Sequence, residues 1–191
     1  MSDTVSALNG ATFQGFVTVE DAGLQGMITL RGDLGSAKLL AAVTAATGLV
    51  TPSQRKIVSQ GDMAVAWMSP DEVLILTPYD QAGTIAATLA QALSGEHGLV
   101  QTVSDARTVV RLTGAPGSVR EVLAKLAPVD LSPQAFEPGE FRRTRLAQVA
   151  GAMWFDDTTS ARIICFRSVA DYVFKLLCIS AEEGGEVDYF N

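Results

Sequence analysis

The chain has 191 residues, 48% of them apolar, enough for one large or two small domains with a sizeable core and too apolar for a disordered chain. Fourteen Lys and Arg against 21 Asp and Glu give a formal charge of −7, which argues against general attraction to nucleic acid or to an anionic membrane face while leaving room for a local basic patch. Met1-Ser2-Asp3-Thr4-Val5 lacks the basic start and apolar core of a signal peptide, and no uninterrupted apolar stretch is long enough to cross a bilayer, so the expected location is cytoplasmic.

Residues 1–14 are small and polar and predict a mobile arm. Phe16-Val17-Thr18-Val19 fits a short strand, and the boundary between the N-terminal segment and the main body falls between residues 24 and 25. Met27-Ile28-Thr29-Leu30 predicts a strand with Ile28 and Leu30 on one face, ended by Gly32. Ser36 is placed to cap a helix carrying Leu40, Val43 and Thr47, which Gly48 stops. Residues 55–58 and 63–67 predict strands joined by a hairpin turn at Gly61-Asp62, with a second turn at Ser69-Pro70-Asp71. Val73-Leu74-Ile75-Leu76 is apolar throughout and predicts a strand buried on both faces. Pro78 and Asp80 open a helix with Ile85, Leu89 and Leu93 at i, i+4, i+8, which ends in residues 95–98.

The same order then recurs. Residues 100–103 and 108–112 predict strands. The helix after Pro116 carries Val119, Val122, Leu123 and Leu126 at i, i+3, i+4, i+7. Burying those four side chains contributes roughly 6–12 kcal/mol before entropy is subtracted. Pro116 sits in the first turn, where its missing N–H costs nothing, and Pro128 stops the helix. A loop over 132–139 leads to strands at 145–149 and 153–155, a turn at Asp156-Asp157 and a strand at 163–166. A last helix carries Val169, Tyr172, Val173, Leu176 and Leu177, and the acidic end, 182–191, reads as a solvated tail. Each half thus reads strand, strand, helix, three strands, helix, with repeats at about 25–98 and 99–182.

Residues repeat as well as elements. LRGDLGSAKLLAAVTAATGL starts at Leu30 and LTGAPGSVREVLAKLAPVDL at Leu112, an offset of 82 (112 − 30). Without gaps, Gly32 meets Gly114, Gly35 meets Gly117 and Ser36 meets Ser118, which suggests duplication. The corner Gly114-Ala115-Pro116-Gly117-Ser118 resembles a phosphate loop, but it has no lysine where a Walker loop needs one and is not G-x-G-x-x-G. A corner present in both halves reads more simply as a fold feature, with Gly supplying an unusual φ and Ser the helix cap. The helix N-terminus keeps some capacity to bind an anion.

Candidate reactive groups are sparse. His97 is the only histidine and falls in a polar loop; no nucleophile-elbow motif accompanies it. With Cys165 and Cys178 scattered in apolar runs, it does not make an ordinary zinc site, and both cysteines read as buried reduced thiols. Asp156-Asp157 and Glu182-Glu183 are adjacent carboxylates that need not cooperate. Asp105 and Arg107 could pair along a strand. Arg142, Arg143 and Arg145 form the densest positive cluster, read either as an exposed strand entry or as a contact for an acidic partner or a phosphate-bearing ligand. Trp67 and Trp154 occupy comparable places in the two halves and read as core, or in one case as an interface residue.

Three stretches carry a family resemblance: SPDEVLIL at 69–76, SDARTVVRLTGAPGSVREVLAKLAPVDL at 104–131 and FEPGEFRRTRLAQVAGAMWF at 136–155. Together they resemble the gamma subunit of bacterial heterotetrameric sarcosine oxidase, from about residue 25 onward. That subunit is in turn similar to the folate-binding domain of aminomethyltransferases. The resemblance implies an α+β fold of duplicated β2-α-β3-α units with antiparallel sheets and pseudo-twofold symmetry, the first strands exchanged between copies. It implies a single domain over 25–191 behind the segment 1–24. It also implies a noncatalytic subunit of a complex that oxidises sarcosine to glycine, peroxide and a one-carbon unit, with partners among the other subunits, chiefly the large alpha subunit. FAD, FMN, NAD and tetrahydrofolate would then be held on other subunits and zinc on the smallest, with no catalytic, cofactor-binding or metal residue on this chain. No catalytic residue carries over, because the aspartate-bearing segment of active aminomethyltransferases is not found. The alternative is a stand-alone folate-binding or one-carbon transfer module.

Overall fold

The structure is a computed structural model and describes residues 4–190. Chain order runs β1 (Thr12–Gln14), β2 (Val17–Asp21), β3 (Gly26–Arg31), α1 (Ala37–Thr47), β4 (Ile57–Gln60), β5 (Met63–Ser69), β6 (Glu72–Thr77) and α2 (Ala82–Ala92). It continues with β7 (Leu99–Thr102), β8 (Arg107–Gly114), α3 (Pro116–Ala124), β9 (Phe141–Leu146), β10 (Val149–Phe155), β11 (Ser160–Phe166) and α4 (Ala170–Ser180). The elements form two units, one from residues up to 23 and from 105 onward, the other from residues 24–104.

Each unit holds one antiparallel sheet, ordered β4-β5-β6-β3-β7 in the 24–104 unit and β1-β2-β8-β11-β10-β9 in the other. The opening strand of each repeat sits in the sheet of the opposite repeat: β2 pairs with β8, and β7 pairs with β3. This is the exchange that the family resemblance implies. The registers show the duplication directly. Ile28 faces Ile75 and Leu30 faces Val73 across β3–β6, as Val110 faces Ile163 and Leu112 faces Ala161 across β8–β11.

Alternation explains the cores. Ile28, Leu30, Val65, Val73 and Ile75 turn one face of their sheet toward Leu39, Val43 and Leu89 of the helices. In the other unit Val110, Leu112, Met153, Phe155 and Ile163 meet Val119, Val122, Leu123, Val173 and Leu177. All six residues of β6 are buried, as its unbroken apolar run predicts.

Several local expectations are corrected. The expected arm includes β1, and β2 buries Val17 and Val19 in the core. The strand expected at 145–149 is two strands, β9 and β10, reversing at Ala147 with φ 49°. Ser36 does cap α1, its side chain accepting the Leu39 N–H, and Gly48 closes that helix at φ 73°. Ser118 caps nothing: α3 begins at Pro116 with Ala115 as its cap residue, and Ser118 lies inside the first turn. Proline's fixed φ at the first helical position starts that helix early. Burial also shifts the helical correspondence. Leu39, Ala42 and Val43 are the buried set of α1, and Val119, Val122 and Leu123 match them at an offset of 80 (119 − 39), two residues out of step with the sequence repeat. Gly35 and Gly117 are therefore not equivalent. Nor do the corner glycines supply an unusual φ. Gly32 and Gly114 supply space: a Cβ would stand 2.9 Å from Leu39 Cδ1 and 3.1 Å from Val17 Cγ2 respectively.

Candidate functional site

A cavity of about 720 Å³ opens in the 24–104 unit. Arg31 at the end of β3 and Gly32 after it form part of its wall, Ser36 and Leu39 come from the cap and first turn of α1, and the loop after α2 contributes Glu96 and His97. Its charged groups are already engaged. Arg31 Nη2 lies 2.8 Å from Glu72 Oε2, and this hydrogen-bonded carboxylate raises the guanidinium's pKa. Asp33 Oδ1 accepts the Gly35 N–H at 2.8 Å. Ser69 donates to Asp71 at 2.5 Å, which lowers that carboxyl's pKa. Lys38 bonds the Ser94 carbonyl at 2.9 Å and stands 3.5 Å from Glu96. The lining also includes the buried apolar residues Leu39 and Leu93 and the exposed His97.

The second concentration of chemistry is on α3. Arg120 and Glu121 are each only 4% exposed, unusual for charged residues. Arg120 Nη1 donates to the carbonyls of Leu131 at 2.8 Å and Phe136 at 3.0 Å, and its guanidinium lies 4.4 Å from the Phe155 ring centroid. Burial lowers its pKa. Glu121 accepts the backbone N–H groups of Val187 at 2.5 Å and Asp188 at 2.9 Å. Lys125, one turn on, donates to the carbonyls of Ser180 at 3.0 Å and Gly185 at 2.6 Å. The acidic end expected to be a solvated tail is thus held by its backbone, although residues 182–189 keep their side chains exposed. Sequence reading missed both charged residues. No local signal marked them: the matching positions of α1, Leu40 and Ala41, also sit between buried residues and are exposed.

The other sequence candidates are dispersed. Arg142 donates to Glu140 at 2.7 Å and to the Ala135 carbonyl at 2.9 Å, and it lies 4.9 Å from the Phe136 ring, so it is a structural pin. Arg143 and Arg145 are exposed on the other face of β9, which bounds its sheet. Asp105 lies in a 3-10 turn ahead of β8 rather than on a strand beside Arg107. Asp156 accepts from Trp154 Nε1 at 3.0 Å and Arg162 Nε at 2.7 Å, while Asp157 caps its turn through Thr159, which lowers its pKa. Trp154 is one residue out of step with Trp67: Trp67 faces Val73 on β6, whereas Phe155 faces the matching Ala161 on β11. Cys165 is buried and its thiol is pushed up to about 11 by desolvation; Cys178 is shifted in the same direction. Such thiols are poor nucleophiles. Among the described residues no group of three or more His, Cys, Asp or Glu is arranged to hold a metal ion, and no helix is long and apolar enough to cross a membrane.

The sequence matches the model of the sarcosine oxidase, gamma subunit family over residues 31–183. It is 34% identical over 129 residues to the sarcosine oxidase subunit gamma of Arthrobacter sp, across 68% of this chain and 61% of that protein. It is 36% identical over 116 residues to the subunit gamma of Corynebacterium sp. (strain P-1), across 60% of this chain and 55% of that protein. These matches span between 55% and 61% of the length of the curated relatives. Among solved structures, one chain of the heterotetrameric sarcosine oxidase from Corynebacterium sp. U-96, solved with pyrrole 2-carboxylate, superposes with a TM-score of 0.77 at 29% identity, covering 89% of this chain and 87% of that one. The glycine cleavage system aminomethyltransferase T of Bartonella henselae shares the fold, with a TM-score of 0.59 at 12% identity over 85% of this chain and 46% of that one.

Proposed function

Because the chain belongs to the sarcosine oxidase, gamma subunit family, we propose that it serves as the noncatalytic gamma subunit of a heterotetrameric sarcosine oxidase. In that role it supports the larger subunits while they oxidise sarcosine to glycine, peroxide and a one-carbon unit. FAD, FMN, NAD and tetrahydrofolate belong to the other subunits, the alpha subunit is the chief contact, and the assembly works in the cytoplasm. The observation that carries this reading is the superposition on a chain of a solved sarcosine oxidase over nearly the whole length of both.

The site chemistry is consistent with a supporting role. The buried charges on α3 bond carbonyls and amides of this chain, and the groups around the cavity neutralise one another. These are arrangements that stabilise a scaffold. Co-expression with the other oxidase subunits of the same organism tests the proposal: the chain is expected to copurify with them in fixed ratio. A chain that stays apart from those subunits, or that oxidises sarcosine alone, overturns it. Calorimetry of the isolated chain with tetrahydrofolate is expected to show no micromolar binding; such binding would support the stand-alone one-carbon module.

A further inference from the structure

The three most exposed large apolar side chains that the structure shows are Tyr189 at 79%, Val187 at 70% and Ile179 at 64%, and all lie in the last thirteen residues. Solvated apolar side chains on a free tail would need no explanation. This segment is not free. The N–H groups of Val187 and Asp188 are taken by the buried carboxylate of Glu121, and the carbonyls of Ser180 and Gly185 by Lys125. Phe190 packs against the core cluster while Tyr189 meets its ring edge-on at 4.9 Å. Gly184, at φ 80°, turns the backbone into this course. A buried glutamate and a lysine thus hold a strap anchored by Phe190, while its Val187 and Tyr189 side chains stay exposed.

We propose that residues 182–190 are a preorganised docking epitope that seats Val187 and Tyr189 in apolar pockets of a partner oxidase subunit. Fixing the backbone beforehand removes ordering entropy from the association step. Exposed Tyr with an adjacent aliphatic residue is the composition of an interface anchor. Charge specifies the rim of the partner's pockets. Glu182, Glu183, Glu186 and Asp188 put four carboxylates into this segment, so the receiving surface carries Lys and Arg around an apolar centre. The inference rests on the subunit reading and goes beyond it by naming the surface and its complement.

The test is binding of the purified full chain to the remaining oxidase subunits prepared without it. The double variant Val187→Ser, Tyr189→Ser removes the exposed side chains and leaves the Glu121 clasp. It is expected to keep the melting temperature of the isolated chain and to weaken binding by about tenfold or more. Glu183→Lys with Glu186→Lys is expected to slow association about fivefold at low salt, a difference that disappears near about 1 M salt. In the unmodified chain, the Tyr189 amide is expected to gain about tenfold protection from hydrogen exchange on assembly. Binding of the serine variant within about twofold of the unmodified chain, or an unchanged Tyr189 exchange rate in the complex, overturns the epitope while leaving the subunit reading intact. Failure of the unmodified chain itself to bind overturns both.

Discussion

Helices α1 and α3 occupy the same place in the two repeats and have unlike surroundings. In α1 only Leu39, Ala42 and Val43 are buried, an amphipathic helix with one face on its sheet. In α3 six of nine residues are buried, including the charged Arg120 and Glu121. The matching positions in α1, Leu40 and Ala41, are exposed. The difference comes from segments outside the repeated elements. The loop after α3 brings Leu131 and Phe136 over Arg120, and the strap brings Val187 over Glu121. In the 24–104 unit the outer side of α1 stays exposed, and a cavity opens at its start. One ancestral unit has thus diverged into a covered copy and an open copy. The lesson is that a duplicated fold keeps its sheet-facing residues and varies what lies over its helices.

The largest test of this asymmetry is Phe136→Ala. Phe136 is fully buried and meets Phe155 edge-on at 5.2 Å, so its loss is expected to cost about 3–5 kcal/mol in urea unfolding. A cost below about 1 kcal/mol would show that the loop lies loosely over α3. Arg120→Ala strands the Leu131 and Phe136 carbonyls and is expected to cost about 2–4 kcal/mol, whereas Leu40→Ala, its counterpart in α1, is expected to cost about 1 kcal/mol or less. Equal effects would erase the distinction between the two copies. At the corners, Ser36→Ala removes a cap and is expected to cost about 1 kcal/mol; Ser118→Ala removes none and is expected to change stability by about 0.3 kcal/mol or less.

A smaller contrast concerns Thr77 and Cys165, which hold the same sheet position. Thr77 pairs with Gly26 on β3, and Cys165 with Thr108 on β8. The Thr77 hydroxyl is buried without a hydrogen-bond partner. Thr77→Val, which keeps the shape and removes that group, is expected to raise stability by about 1 kcal/mol. Cys165 instead introduces a pH dependence. Its thiol is raised from 9.0 to about 11, so its contribution to stability is complete below pH 9.0 and is lost as pH rises toward about 11. Urea midpoints measured across that window are expected to fall, and to fall less steeply in Cys165→Ala.

Much of this architecture was legible beforehand where a rule acts within a few residues. The unbroken apolar run at 73–76, the Ser36 cap and the Gly48 stop each depend on their own neighbours, and each is present. The order of elements in the two repeats was legible for the same reason. Where a rule depended on space, reading failed. The gapless alignment of Gly35 with Gly117 is contradicted because Pro116 starts α3 early, and what a side chain at position 32 would meet is the end of Leu39 rather than a φ barrier. The turn at Ala147 was missed because a non-glycine residue takes a positive φ there, which composition does not signal.

Alone, the amino-acid order settled the hydrophobic periods, the helix stops and the twofold recurrence, because each is written in spacings of two, three or four residues. Only the folded chain decided why α3 tolerates two buried charges and why an acidic tail is held by its backbone. Those outcomes depend on hydrogen-bond partners far away in sequence: Glu121 finds its amides 66 and 67 residues on. A buried charge is affordable only where such partners converge, and convergence is a property of three dimensions.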